Sequence, residues 1–294
     1  MIGVFDSGYG GLSILRQMRN LMPEYDYLFL GDNARAPYGP HSFDVVYRFT
    51  LQAVEELFRR GCQLVILACN TASAKALRTI QQRDLERLTE KYCTPEQKAR
   101  GGLRVLGVIR PTIETLGSVT RTRHVGVLAT QGTIASRSYD LETAKLWPDI
   151  QVTGLACPMW VPLVEYGEYD TPGADYFVEK RLRQLLKTDP QIDTIVLACT
   201  HYPHLMPLIV KHTPLNVRVI AQGEYVALSL RDYLRRHPEM DERLTRSGKL
   251  PAEWDGNQTP TGHCHYLTTE NAQKFRSQAT LFMAEPCDAE EIQL

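Results

Sequence analysis

The sequence predicts an α/β protein of two pseudo-symmetric, doubly wound parallel-sheet domains, and three observations carry that expectation. Short apolar runs alternate with helical patterns almost from the first residue. These runs are continuous in Val, Ile and Leu, as expected of parallel strands covered on both faces. One strand-and-turn segment also occurs twice. Leu64-Val65-Ile66-Leu67-Ala68-Cys69-Asn70-Thr71 is matched by Thr194-Ile195-Val196-Leu197-Ala198-Cys199-Thr200-His201. Repetition of strand, helix and strand in this manner implies crossovers that cover both faces of a sheet.

Taken in order, strands are predicted at residues 2–5, 27–30, 64–68, 104–108, 125–129, 152–156, 194–198 and 217–221. Helices are expected at residues 43–60, 72–92 and 176–187. Another begins near Leu12, after the glycine-rich turn Asp6-Ser7-Gly8-Tyr9-Gly10-Gly11. The polar stretch 94–102 (TPEQKARGG) reads as the link between domains, with Gly101-Gly102 free to flex. Residues 224–236 and 271–283 read as helices on either side of a stretch, 238–261, rich in charge, Gly and Pro. This tail is expected to pack back on the first domain. The expected domains are therefore 1–101 with 220–294, and 102–219, with the active site in the cleft between them.

The 294 residues carry a formal net charge of -1 and a pI near 6.7, which gives no broad basic field for nucleic acid. The N-terminus lacks a basic n-region, and no apolar run approaches the roughly 18 residues of a membrane span. A cytoplasmic protein with no membrane partner is expected. Its seven cysteines (Cys62, Cys69, Cys93, Cys157, Cys199, Cys264 and Cys287) form no CxxC pair and read as reduced thiols.

A cysteine between a strand's end and a helix N-terminus lies where open α/β sheets bind ligands. Backbone N–H groups and the helix dipole there favour a thiolate. One such cysteine is ordinarily a small buried residue. Two in matching contexts suit a reaction with mirror-related proton positions, in which one thiolate takes a proton from one face of a carbon and the other thiol supplies the opposite face. Racemisation needs that arrangement. The glycine-rich turn adds amides that attract a carboxylate, and Asp6 is placed to hold an ammonium or to bond polar groups of the site.

Other readings compete. Gly8-x-Gly10 after the first strand, with Asp32 after the second, resembles a dinucleotide fingerprint, but Ser13 stands at the third glycine position. A cysteine hydrolase with His201 as base explains one cysteine motif and leaves the other idle. A binding protein that closes on an acidic amino acid without reacting has little use for paired thiols. His263-Cys264-His265 invites a metal, yet neighbours in an extended segment point to opposite faces. No lysine lies in these motifs to carry pyridoxal phosphate.

Together with Pro37-Tyr38-Gly39, Cys69-Asn70-Thr71-Ala72-Ser73, Leu128-Ala129-Thr130, Thr133-Ile134-Ala135-Ser136, the run from Cys157 to Glu165 and Cys199-Thr200-His201-Tyr202-Pro203, the turn resembles the glutamate racemases of the cofactor-independent aspartate/glutamate racemase family. The resemblance implies a racemase with no cofactor and no metal that supplies D-glutamate for peptidoglycan. It implies that Cys69 acts on the D-enantiomer and Cys199 on the L-enantiomer. Asp6, Glu165 and His201 are the implied supporting residues, and Asp6, Ser7, Tyr38, Gly39, Asn70, Thr71, Thr200 and His201 the implied substrate contacts. Glutamate is the implied small-molecule partner, and a homodimer the implied assembly. Two departures stand out: Ala221-Gln222-Gly223 replaces the Asp-Ser-Gly run of many relatives, and the tail from Pro238 is long.

Overall fold

In the computed structural model, which describes residues 1–247 and 262–294, ten strands are found. They are β1 (Ile2–Asp6), β2 (Tyr27–Gly31), β3 (Leu64–Leu67), β4 (Arg104–Gly107), β5 (His124–Ala129), β6 (Gln151–Ala156), β7 (Thr194–Ala198), β8 (Arg218–Ala221), β9 (Cys264–Thr268) and β10 (Ala289–Glu291). The chain divides into two units. The first comprises Met1–Tyr38, Ser42–Val108 and Gly223–Leu294, and the second Gly39–His41 and Ile109–Gln222.

The first unit holds a six-stranded sheet in the order β10-β9-β2-β1-β3-β4, and the second a four-stranded sheet in the order β6-β5-β7-β8. All neighbours in both sheets are parallel. The order β2-β1-β3-β4 is repeated by β6-β5-β7-β8, so each unit starts at an inner strand, steps one way, then crosses back. Crevices open at such reversals, between β1 and β3 and between β5 and β7, at the strands' carboxyl ends. Every residue of β1, β2, β3 and β7 is buried, which is why these strands read as unbroken apolar runs.

Helices cover the sheets by apolar stripes. In Phe43–Arg59 the buried residues Val46, Thr50, Ala53, Val54 and Leu57 recur at helical spacing, and Ser42 caps the start by accepting from the Val45 amide. Residues 72–92 do not form the single helix expected. The chain instead runs through Asn70–Lys75 and Leu77–Thr79, a π-helical stretch Ile80–Asp84, then Leu85–Tyr92. Gln81 on the widened turn donates to the Val105 carbonyl at 2.7 Å, tying this irregular segment to β4.

Residues 94–102 are not a link. Pro95–Ala99 is a short helix with a reciprocal capping box between Thr94 and Gln97. Gly101 and Gly102 (φ +94° and +64°) then turn the chain into β4, a reversal that strains residues with a Cβ. Because β4 pairs with β3, the chain leaves the first unit after Val108, and it re-enters at Gly223. The tail supplies that unit with Gly223–Arg236, β9, Ala272–Met283 and β10. Part of the charged stretch, residues 248–261, lies outside the described residues. Among the described residues no helix is long and apolar enough to cross a membrane.

Candidate active site

In the first unit the chemistry gathers at the reversal between β1 and β3. β1 delivers buried Asp6, whose carboxylate accepts from the Gly8 amide at 3.0 Å and so fixes the glycine-rich turn. Gly11 closes this turn, and a Cβ there would collide with the Asp6 side chain. Beyond β3, Cys69 stands at the N-cap of Asn70–Lys75, with Asn70 and Thr71 buried in its first turn. A hydrogen bond of 3.3 Å joins the Ser7 hydroxyl to the Cys69 sulfur. Ser73 donates to the Leu67 carbonyl at 2.8 Å and holds the strand-to-helix junction.

Tyr38 is buried in the same unit, and its phenol donates to Asp32, just past β2. Burial and the adjoining carboxylate push the phenol far above its ordinary range. Asp32 also receives Arg35 Nε at 2.6 Å and Thr269 Oγ1 at 2.9 Å. The carboxylate read as a possible ribose partner is thus fully buried and occupied from three sides.

In the second unit Cys199 follows β7, but no helix starts at it. The chain passes through Thr200 and His201 into a 3-10 turn, Tyr202–Leu205, before Met206–Lys211. The Cys199 sulfur lies 4.0 Å from His201 Nδ1, the Thr200 hydroxyl 3.5 Å from the same nitrogen. His201 Nε2 lies 3.2 Å from Glu165 Oε1, at the end of the helix Trp160–Glu165. Burial opposes the charged imidazole, yet Cys199 and Glu165 on its two nitrogens outweigh that and push it up to about 10. His204 goes the other way, to about 4, through burial and the neighbouring charge of His201.

Gly39 belongs to this unit as well. A Cβ on it would stand 3.2 Å from Cβ of Thr130, the residue after β5 that caps Gln131–Ser136. At the departure Ala221-Gln222-Gly223, the buried Gln222 amide donates to Thr112 Oγ1 at 2.7 Å and to Tyr139 Oη at 2.9 Å.

The expected residues therefore form two groups. Asp6, Ser7, Tyr38, Cys69, Asn70 and Thr71 lie in the first unit; Gly39, Glu165, Cys199, Thr200 and His201 lie in the second. Burial raises the other thiols above their ordinary range: Cys62 and Cys264 to about 12, and Cys93, Cys157 and Cys287 upward. Raised thiols of this kind are inert packing groups. Among the described residues, no group of three or more His, Cys, Asp and Glu is disposed to hold a metal. Sequence reasoning missed Thr269 and the role of Asp32 as its acceptor.

The profile of the Asp/Glu/hydantoin racemase family matches residues 11–227, more than half of the chain. A glutamate racemase of Ruegeria sp. (strain TM1040) is 37% identical over 292 residues, covering 96% of each chain. One from Paracoccus denitrificans (strain Pd 1222) is 37% identical over 97% of each. Among solved structures, a glutamate racemase isoform from Bacillus anthracis superposes with a TM-score of 0.83 at 29% identity, covering 100% of this chain and 97% of that one. The Francisella tularensis glutamate racemase, solved in complex with D-glutamate, gives 0.80 at 27% identity over 99% and 97%.

Proposed function

The chain belongs to the Asp/Glu/hydantoin racemase family, among its glutamate racemases, and we propose that it inverts the α-carbon of glutamate with no cofactor, one of Cys69 and Cys199 taking the α-proton and the other supplying its replacement. The observation that carries this reading is the repeated placement of a reduced, buried cysteine just beyond the third strand, in chain order, of each sheet. Each sulfur has a polar partner, the Ser7 hydroxyl for Cys69 and the His201 imidazole for Cys199.

From L-glutamate, the Cys199 thiolate takes the α-proton and the C–H electron pair stays on the substrate as a carbanion. The Cys69 thiol then gives its proton to the opposite face. D-glutamate leaves, and the two sulfurs have exchanged protonation states. The reverse reaction runs from Cys69. His201, charged and held by Glu165, supplies a counter-charge for a thiolate at Cys199. An amino-acid α-proton is far less acidic than a thiol, so the barrier falls by proximity, exclusion of water and hydrogen bonds to the developing charge. Asn70, Thr71, Thr200 and the turn amides are the donors; Asp6 takes the ammonium, and Ser7, Tyr38, Gly39 and His201 complete the substrate contacts. The product enters peptidoglycan synthesis, and the enzyme works in the cytoplasm as a homodimer.

L-glutamate in heavy water with no added cofactor tests the reading. Early in the reaction, D-glutamate should carry α-deuterium while the remaining L-glutamate does not, since separate sulfurs serve the two faces. Product that keeps its original proton would exclude two bases, and no inversion at all would remove the activity.

A further inference from the structure

The tail reaches the carboxylate that holds Tyr38 through the hydroxyl of Thr269. Thr269 directly follows β9, which pairs with β2 in the register Gly31↔Thr268. Its amide donates to the Gly31 carbonyl at 3.2 Å, and its hydroxyl accepts from the Ala34 amide at 3.0 Å and donates to Asp32 Oδ1 at 2.9 Å. The other oxygen of Asp32 receives the Tyr38 phenol and Arg35 Nε. Neighbouring Thr268 donates to Asn33 Oδ1 at 2.9 Å, so the turn Asp32–Arg35 is held by two consecutive tail hydroxyls.

We propose that Thr269 is a positioning residue for substrate binding, acting through Asp32 to set the Tyr38 phenol and the Pro37-Tyr38-Gly39 segment that follows. A carboxylate with both oxygens engaged has one low-energy orientation. With Thr269's hydroxyl removed, Asp32 is held through Oδ2 alone, its terminal torsion is less tightly fixed, and the phenol bonded to it loses part of its reference. Thr269 touches no reacting atom, and its effect falls on how well Tyr38 is placed. The inference rests on the substrate role proposed for Tyr38.

Steady-state kinetics on Thr269→Val, Thr269→Ser and Tyr38→Phe, with the Thr269→Val/Tyr38→Phe pair, test it. Thr269→Val should raise KM about fivefold, the equivalent of one net hydrogen bond, with kcat changed less. Thr269→Ser should restore the wild-type KM. The effect of Thr269→Val should vanish in the Tyr38→Phe background, because the path runs through that phenol. An equal rise in both backgrounds, or no rise, overturns the proposal. A readout independent of turnover separates it from the functional reading. With 13Cζ-tyrosine, the resonance lost in Tyr38→Phe should move in Thr269→Val and return in Thr269→Ser. A wild-type enzyme that fails to racemise while that resonance still moves would refute the activity and leave the coupling standing. A resonance that stays fixed would refute the coupling. If Thr269→Val does not fold, Thr269→Ala carries both measurements.

Discussion

His201 meets an acceptor on each ring nitrogen, and two thiols carry unlike partners: a neutral hydroxyl at Cys69, an imidazole–carboxylate pair at Cys199. General acid–base groups contribute roughly 10²- to 10⁴-fold, and Cys69→Ser or Cys199→Ser alone should each lower kcat by that order, read by polarimetry in both directions. L- and D-glutamate have equal free energy, so every variant must lower kcat/KM equally in the two directions. A variant that does not would reveal a side reaction. The imidazole is held up to about 10, above an unfolded value of about 6.5. The folded state thus keeps a proton that the unfolded chain releases. Stability from His201 is full below pH 6.5, declines as pH rises toward 10, and is gone above it. In urea titrations at about pH 6 and pH 9, His201→Asn should show a smaller loss of stability with rising pH than the wild type. Equal losses would mean that the imidazole is neutral. At Gly11 the limit is space: Gly11→Ala should push Asp6 aside and cost about 1–3 kcal/mol as well as turnover, measured by denaturant midpoint and kcat/KM.

Strands and loops differ in how plainly they were written in the sequence. The eight strands up to Ala221 coincide with the apolar runs; β1, β2, β3, β5 and β7 do so because a parallel strand buried on both faces needs nothing but apolar residues, whereas β4, β6 and β8 keep an apolar run although they are only partly buried. β9 and β10 carry no such mark: β9 begins with a partly buried Cys264 and an exposed His265, and β10 is three residues rich in Glu at the sheet's edge. The capping box at Thr94 is legible in its Thr-x-x-Gln spacing, whereas the polar run and paired glycines around it have the composition of a link. Both cysteine motifs and the turn at Asp6 were legible as strand-end residues. The hydroxyl of Thr269 was not, since its partner Asp32 is far away in sequence and only the β2–β9 pairing unites them. The tail helix Ala272–Met283 has the same long-range character. Phe275 and Phe282 lie against Tyr9 of the glycine-rich turn, with ring centroids 5.6 and 6.5 Å away. Phe275 is fully buried, and Phe275→Ala should cost about 3–5 kcal/mol, seen as a lowered urea midpoint. Turnover should fall with it even under conditions where the variant is folded, because Tyr9 loses its backing.

At the scale of the whole molecule, the second unit is almost one continuous stretch, whereas the first is assembled from pieces on either side of it. A fragment of residues 109–222 should therefore melt cooperatively by circular dichroism. Residues 1–108 alone should not, lacking the tail that pairs with β2 and packs on Tyr9 and Phe29. A cooperative transition in the shorter N-terminal piece would show that its core closes without β9. Prolonged dialysis against a chelator should leave the wild-type rate unchanged, and a loss restored by zinc would reveal a metal requirement. The split also bears on how the chain is made. β9 emerges from the ribosome more than 200 residues after β2, which it must pair with. At about 5–20 residues per second, the edge of β2 waits on the order of 10–50 s with its amides and carbonyls unpaired on one side. During vectorial synthesis the second unit can be complete while the first is still half-built, and nascent chains of this protein should be captured by chaperones through that open edge until the tail arrives.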